Sequence, residues 1–400
     1  MHATQVFRNR LRAWCQGIHP WRLDAVMAMV DALLRGRVLT VTGLGRALGG
    51  PVAPKHQIKK ADRLIGNPHL HSERGRFYQA LMALTIGHLR RPVILVDWSD
   101  VREDRAFQML RAAVAVAGRA LTLYEEVHPL ARSANRRVQT RFLHTLQRLL
   151  PAHCRPIIVT DAGFKNPWFK AVRALGWDFV GRVGGHVMLR PADAAADWIR
   201  VERVFETASR RARYYGAVEL ARANPLHCQA YTLKRRPAGR VKKTRFGTKS
   251  AMKHSLKNAH RERTPWLLVT SLAGGTAITK AVMRLYRSRM QIEEAFRDVK
   301  NHRYGFSFRD CLTHKRYRLE NLLLIGALAA LAAWLVGKVA EMKHLHRRYQ
   351  ANTVGRRRVL STFYLGCEVI AAAGVKMTAQ DFRQALRTLS EDRYAVEWVA

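Results

Sequence analysis

The sequence predicts a mixed α/β protein with a helical N-terminal region, a mixed sheet flanked by helices, and a basic helical tail. Three observations predict it. Short apolar runs such as "PVILVDWSD", "RPIIVTDAGF" and "DFVGRV" read as strands buried on both faces. The amphipathic segments "RRVQTRFLHTLQRLL" and "PWFKAVRALGW" fall between such runs, as helices covering a sheet do. No strand-like run precedes Pro92.

Residues 1–88 form the first region. "WRLDAVMAMVDALLRG" has helical periodicity and stops at Gly36, a natural C-cap. "VTGLGRALGG" and "PKHQIKKADRLIGN" read as two short helices around a Gly-Gly-Pro turn, with Ile58, Ala61 and Ile65 inward and Gln57, Lys60 and Arg63 outward. This suits either a helix-turn-helix, whose second helix enters a major groove, or a plain helical bundle. Residues 89–185 hold the first part of the sheet. The strand "VILVD" closes on Asp97, and "MLRAAVAVAGRALTLYEEVHP" is a hairpin turning at Ala117–Gly118. A helix, the strand "IIVTD" closing on Asp161, a second helix and "DFVGRV" follow, so paired strands give way to crossovers.

Residues 186–265 break this pattern with short strand-like runs and the cationic segment "LKRRPAGRVKKTRFGTKSAMKHSLKNAHRER". Its cations, Lys242, Lys243 and Arg245 among them, are interleaved with Gly, Ser and Thr and suit phosphate contacts, or else form a solvated charge run. Residues 266–345 resume with the strand "PWLLVTSL", a helix from Leu285 to Lys300, and "NLLLIGALAALAAWLVG". That last run is short for a membrane span of about 20 residues and reads as a buried core helix. Residues 346–400 are basic, then helical.

Charge narrows the function. Lys and Arg number 70 against 29 Asp and Glu, a formal net charge of +41. Such an excess strains a compact fold unless a polyanion neutralises it, and nucleic acid is the first candidate, ahead of an anionic membrane surface. The 5 cysteines are scattered without a CxxC pair, which argues against a disulfide framework or a zinc site and fits a reducing cytoplasm. No apolar signal segment opens the chain.

The chemistry rests on three carboxylates. Asp97 and Asp161, each at the end of a buried strand, either cap loops or converge if their strands are neighbours. Converging carboxylates need a cation between them, and Mg²⁺ takes oxygen ligands while leaving positions for phosphate and water. A third carboxylate from a packed helix would complete a two-metal site for phosphodiester chemistry. In "LYRSRMQIEEAFRDVK", Leu285, Ile292, Phe296 and Val299 form an apolar stripe. Tyr286, Arg289, Glu293 and Lys300 lie within an arc of about 60° beside it. Glu293 is therefore the candidate, or merely an ion-pair partner of Arg289. Glu294 points elsewhere, toward solvent. Asp100, Glu103 and Asp104 lie beyond the first strand.

With this strand order, Asp97, Asp161 and Glu293 resemble the DDE triad of the ribonuclease H-like transposases and integrases. The spacing Tyr286, Arg289, Glu293, Lys300 is similar to the signature of the insertion-sequence-four family of bacterial transposases. "VDWSDVRED", "TDAGFKNPW", "QIEEAFRDVK", "KHQIKKADRLIGNPHL" and "ANTVGRRRVLST" resemble that family over nearly the whole chain. The nearest likeness is to the branch carried on a tetracycline-resistance transposon. The resemblance implies a ribonuclease H-like core interrupted by a β-rich insertion, a DNA-end-binding domain at 1–88, and cut-and-paste transposition through hairpin ends. It implies two Mg²⁺ ions, with Mn²⁺ substituting, held by the triad. It implies phosphate contacts from Tyr286, Arg289 and Lys300, and a flipped base stacked on Trp266, a residue that by itself reads as core. Terminal inverted repeats and target DNA are the implied partners of a homodimer in the bacterial cytoplasm, at the nucleoid. Gly184 stands where a second basic residue would be expected after Arg182. The rival readings are a basic architectural nucleic-acid-binding protein, a ribonuclease H-like nuclease without strand transfer, and a tyrosine recombinase using Tyr286.

Overall fold

The computed structural model describes residues 3–391 except 16, 117, 193–195, 237–247, 250, 253–255, 257–262, 356 and 373–374. The chain forms two compact units, one of Met1–Pro156 with Arg289–Ala400 and the other of Ile157–Ser288. Each is described by itself.

The first unit opens with α1 (Ala3–Trp14), α2 (Pro20–Gly36), α3 (Val41–Ala47), α4 (Pro54–Ile65) and α5 (Pro68–Thr85). The expected C-cap is displaced by one residue. Arg37, not Gly36, adopts the left-handed conformation and donates its N–H to the Leu33 carbonyl. The α3–α4 pair is held close by Gly45, where a Cβ would lie 2.4 Å from Ile58 Cα. Ala61, Leu64 and Ile65 are buried on α4, Ile58 only half so, while Lys60 and Arg63 are exposed.

Three antiparallel strands follow, β1 (Val93–Asp100), β2 (Phe107–Val116) and β3 (Arg119–Pro129), with β2 in the middle. The amphipathic α6 (Arg136–Leu149) buries Val138, Phe142, Leu143 and Leu146. The unit resumes with α10 (Met290–Lys300), α11 (Arg316–Met342), α12 (Thr362–Ala371) and α13 (Ala379–Glu391). The run expected as a core helix is the 27-residue α11; its most apolar window has a mean hydropathy of 2.2 and is 89% buried within the fold. Glu320 and Asn321 of this helix find partners inside the protein, as burial requires. Glu320 accepts from His71, Arg74 and the Val127 N–H, and Asn321 donates to the Ile65 carbonyl. Gly337 and Gly366 let α11 and α12 touch backbone to backbone; a Cβ on either would lie 1.8 Å from a carbonyl oxygen of the other helix.

The second unit begins with β4 (Ile157–Thr160) and β5 (Asp178–Val183), parallel and linked by α7 (Asn166–Ala174). The insertion contributes β6 (Met188–Pro191), β7 (Ile199–Arg200), α8 (Val201–Glu206), β8 (Arg213–Leu220) and β9 (Leu226–Leu233). The return strand β10 (Trp266–Thr270) pairs antiparallel with both β5 and β9, and α9 (Thr279–Ser288) closes the unit. The insertion thus extends the sheet instead of breaking it, in the order β4-β5-β10-β9-β8-β6-β7. The fold is mixed α/β, as expected. Lys242, Lys243 and Arg245 lie outside the described residues.

Candidate active site

Asp97 does not close its strand. β1 continues to Asp100 because Trp98, Ser99 and Asp100 find register partners in Leu110, Met109 and Gln108 of β2. Asp97 is therefore a mid-strand residue, 8% exposed, and Asp100 belongs to the strand instead of lying beyond it. Asp104 lies in the following turn, paired with Arg102 at 2.6 Å.

The expected continuous helix from Leu285 to Lys300 is also divided. It breaks at Ser288–Arg289, giving α9 and α10. Ser288 turns its hydroxyl back to donate to the Leu285 carbonyl at 2.7 Å, a bond that competes with regular helix geometry. Its expected apolar stripe is buried at Leu285, Ile292, Phe296 and Val299.

Within the first unit, Arg289 joins two of the three carboxylates. Its Nη1 donates to Asp97 Oδ2 and its Nη2 to Glu293 Oε1, each at 2.8 Å. Asp97 Oδ1 accepts from the Trp98 N–H, so both of its oxygens are engaged. Arg289 and Asp97 are each 8% exposed, which strengthens their pair over surface pairs, whereas the Glu293 side chain is 43% exposed. Glu294 makes a different set of contacts, pairing with Arg297 at 2.8 Å and Arg119 at 3.8 Å. It is half-buried instead of solvated.

Lys300, at the C-terminal end of α10, donates to Ser99 Oγ at 2.7 Å and sits over the Phe296 ring. Ser99 is two residues from Asp97 and shares its face of β1. Burial, helped by the cations Arg111 and Arg309, pushes the Lys300 amine down to about 7. Arg111 is cross-strand partner to Asp97 and pairs with Glu125 at 2.7 Å, both residues being 1% exposed or less. Sequence reading passed over this pair. Its signal was an arginine inside the apolar run "MLRAAVAV", facing one of two glutamates in "YEEVHP". A charge so placed must be paired on the same face of the adjoining strand.

In the second unit, Asp161 directly follows β4 and caps the loop, accepting from the Gly163 N–H at 2.8 Å. A Cβ on Gly163 would crowd that carboxylate, at 2.9 Å from Oδ1. Trp266 opens β10 and is 8% exposed. The Tyr286 ring stands edge-on to it at 4.8 Å, and the exposed Arg235 guanidinium lies over it at 4.8 Å. Arg182 donates to the carbonyls of Thr264 and Pro265, which leads into the same strand. Gly184 leaves open space, its Cβ position meeting only Ala162 at 4.0 Å.

The donors fit a hard divalent cation in kind. Asp97 and Glu293 present carboxylate oxygens to one positively charged group, and oxygen ligands are what Mg²⁺ takes. Among the described residues no group of three His, Cys, Asp or Glu side chains is gathered closely enough to hold a metal ion.

The family model described as "Transposase DDE domain" matches residues 88–331, a span that contains Asp97, Asp161 and Glu293. No curated protein matches the chain. Among solved structures the chain is similar to a piggyBac transposase synaptic complex with hairpin DNA, determined by cryo-electron microscopy. The two share 9% identity and a TM-score of 0.41, covering 97% of this chain and 84% of that one. With the family match spanning well over half of its length, the chain belongs to the DDE transposase family.

Proposed function

We propose that this protein is a cut-and-paste DNA transposase of the insertion-sequence-four type, nearest in kind to that of the tetracycline-resistance transposon. In this reading it nicks at terminal inverted repeats, forms and opens hairpin ends, and transfers the 3′-hydroxyls into target DNA. The observation that carries the reading is the pairing of Asp97 with Glu293 through Arg289, inside the span matched by the DDE family.

Asp97, Asp161 and Glu293 would hold two Mg²⁺ ions, or Mn²⁺ in their place. When bound, such ions activate a water or hydroxyl and stabilise the leaving oxygen of a phosphodiester. Arg289 neutralises two of the acids and can exchange a carboxylate for a DNA phosphate, because its planar fork suits both. Lys300 holds its amine beside Ser99 on the Asp97 face, where an entering phosphate favours the charged form. Tyr286 supplies a phenol for a phosphate oxygen. Trp266 becomes a platform for a flipped base once Arg235 leaves its ring, at a stacking gain of about 1–3 kcal/mol. Residues 1–88 recognise the ends, with Lys60 and Arg63 exposed on α4 to reach DNA. The arm containing Lys242, Lys243 and Arg245 adds sequence-independent contacts. Two ends imply a homodimer on DNA, working in the cytoplasm at the nucleoid.

The test is cleavage of a plasmid carrying the DNA that flanks the gene, with and without Mg²⁺. The expected outcome is metal-dependent nicking followed by hairpins. In Trp266→Ala, nicking should persist while hairpin formation slows, and an abasic or mismatched end at the flipped position should partly rescue it. Metal-independent or random cleavage would overturn the reading.

A further inference from the structure

Two hollows meet on the outer face of α6. One, of about 830 Å³, is lined by Arg136, Arg137, Arg141, His144 and Arg148, among others. The other, of about 380 Å³, shares Arg137 and Arg141 and adds Arg132, Arg316 and His128. Arg137, Arg141, His144 and Arg148 recur at i, i+4, i+7 and i+11. They form one line about 16 Å long, close to five base-pair rises of duplex DNA.

Among the described residues the fold offsets this arginine face only in part: Arg141 and Arg316 feel the fields of Glu126 and Glu320 from beyond ion-pair distance. Among the described residues, none of Arg132, Arg136, Arg137, Arg141, Arg148 and Arg316 takes part in an ion pair; Arg148 donates only to the Thr145 hydroxyl. Glu126 is already engaged by the Tyr124 hydroxyl and by His128, as Glu320 is by His71 and Arg74. Burial works against the charge of Glu126, but its two bonds, His128 and Arg141 hold it below the usual carboxylate range. Arg136 and Arg137 also stand in the first turn of α6, which holds no acid, where the helix dipole disfavours cations. The helix therefore carries repulsion that a polyanion would relieve. The buried Val138, Phe142, Leu143 and Leu146 fix which way the line faces.

Strand alternation places the hollows relative to the carboxylates. Asp97, Arg111 and Glu125 share one face of the β1–β3 sheet. Trp98 faces the other way, and its ring meets His128, which lines the smaller hollow, at 5.8 Å. The arginine line thus lies on the opposite side of this sheet from Asp97, so DNA seated at the acids does not cover it.

We propose that the arginine face of α6, with Arg132 and Arg316, binds the phosphate backbone of a second duplex DNA segment, without sequence preference, while the first is held at the carboxylates. This rests on the reading that the Asp97 site acts on DNA. The test uses the full chain with Arg137, Arg141 and Arg148 all changed to Gln, and a second variant with all three changed to Lys. Protein saturated with a short terminal duplex is titrated with a labelled random-sequence duplex over a range of salt. Nicking of the short duplex is measured in parallel. The Gln variant should nick normally, yet its slope of log affinity on log salt should fall by about 2.7. Its affinity loss between about 50 and 200 mM salt should then be roughly forty-fold smaller than the parent's. The Lys variant should retain the parental slope. Replacing the random duplex by a longer terminal duplex tells the source of the second segment. If the variant then loses affinity for the longer end as well, the segment is a continuation of the same molecule; loss only for the random duplex marks separate DNA. An unchanged slope in the Gln variant overturns the proposal, as does a parallel fall in nicking, which would assign the arginines to the first duplex. Failure of the parent itself to nick speaks against the transposase reading, while the salt slope still reports on the arginine face.

Discussion

Asp97 and Asp161 look alike in sequence, each ending an apolar run, yet the fold treats them differently. β1 continues three residues past Asp97 because β2 supplies register partners, and the carboxylate is buried against Arg289. β4 stops at Thr160, and Asp161 spends one oxygen on the Gly163 N–H of the next turn. One acid is held by a neighbouring strand and a buried cation, the other by a local loop. The difference teaches that the same short text can specify a core charge or a loop cap, depending on whether a second strand continues alongside.

Catalysis should erase that difference. Changing Asp97 to Asn, Asp161 to Asn or Glu293 to Gln is expected to reduce nicking on the order of a thousand-fold or more in each case, because residues that act as a unit fail together. End-DNA binding, read by gel shift, should survive in all three. Full nicking by Glu293→Gln, with loss in Glu294→Gln, would move the role to the neighbour.

Stability should restore the difference. Asp97→Ala takes from the buried Arg289 its buried carboxylate partner and is expected to lower unfolding free energy by roughly 3 kcal/mol, as breaking a buried pair does. Asp161→Ala removes one loop hydrogen bond and should cost about 1 kcal/mol. Urea midpoints of the full chain measure both. Equal losses would mean that Arg289 does not depend on Asp97.

A smaller effect belongs to the Asp97 side and is read by pH. Lys300 is lowered from 10.5 to about 7 by burial and the neighbouring cations. Between those values the unfolded chain binds a proton that the folded chain does not, so this contribution to stability rises with pH across the window and is least favourable below about 7. A bound phosphate favours the charged amine. Binding of end DNA at about pH 8 should therefore take up close to one proton, visible as a dependence of the calorimetric heat on buffer ionisation. Asp298, raised to about 7 by burial, exchanges its proton with the unfolded chain below that value and so does not confuse the reading. Lys300→Met should abolish the uptake, whereas an unchanged uptake would assign it to another group.

Local pattern was enough for much of this protein. Apolar run lengths and helical periodicity determined the strands β1 to β5, the helices between them, the helical N-terminal region and the inward stripe of Leu285, Ile292, Phe296 and Val299, because periodicity records which face avoids water. The spacing of Arg289 and Glu293 also foretold the ion pair that they form, apart from the pairing of Glu294 with Arg297. What tertiary structure alone decided was set by partners distant in sequence. Arg289 reaches Asp97, Lys300 reaches Ser99, and Arg111 is buried because Glu125 lies opposite it. The persistence of β1 beyond Asp97 likewise depends on a neighbouring strand. Periodicity reports burial, whereas the pairing of buried charges depends on which strands and helices come to lie side by side, and no local window of sequence contains that.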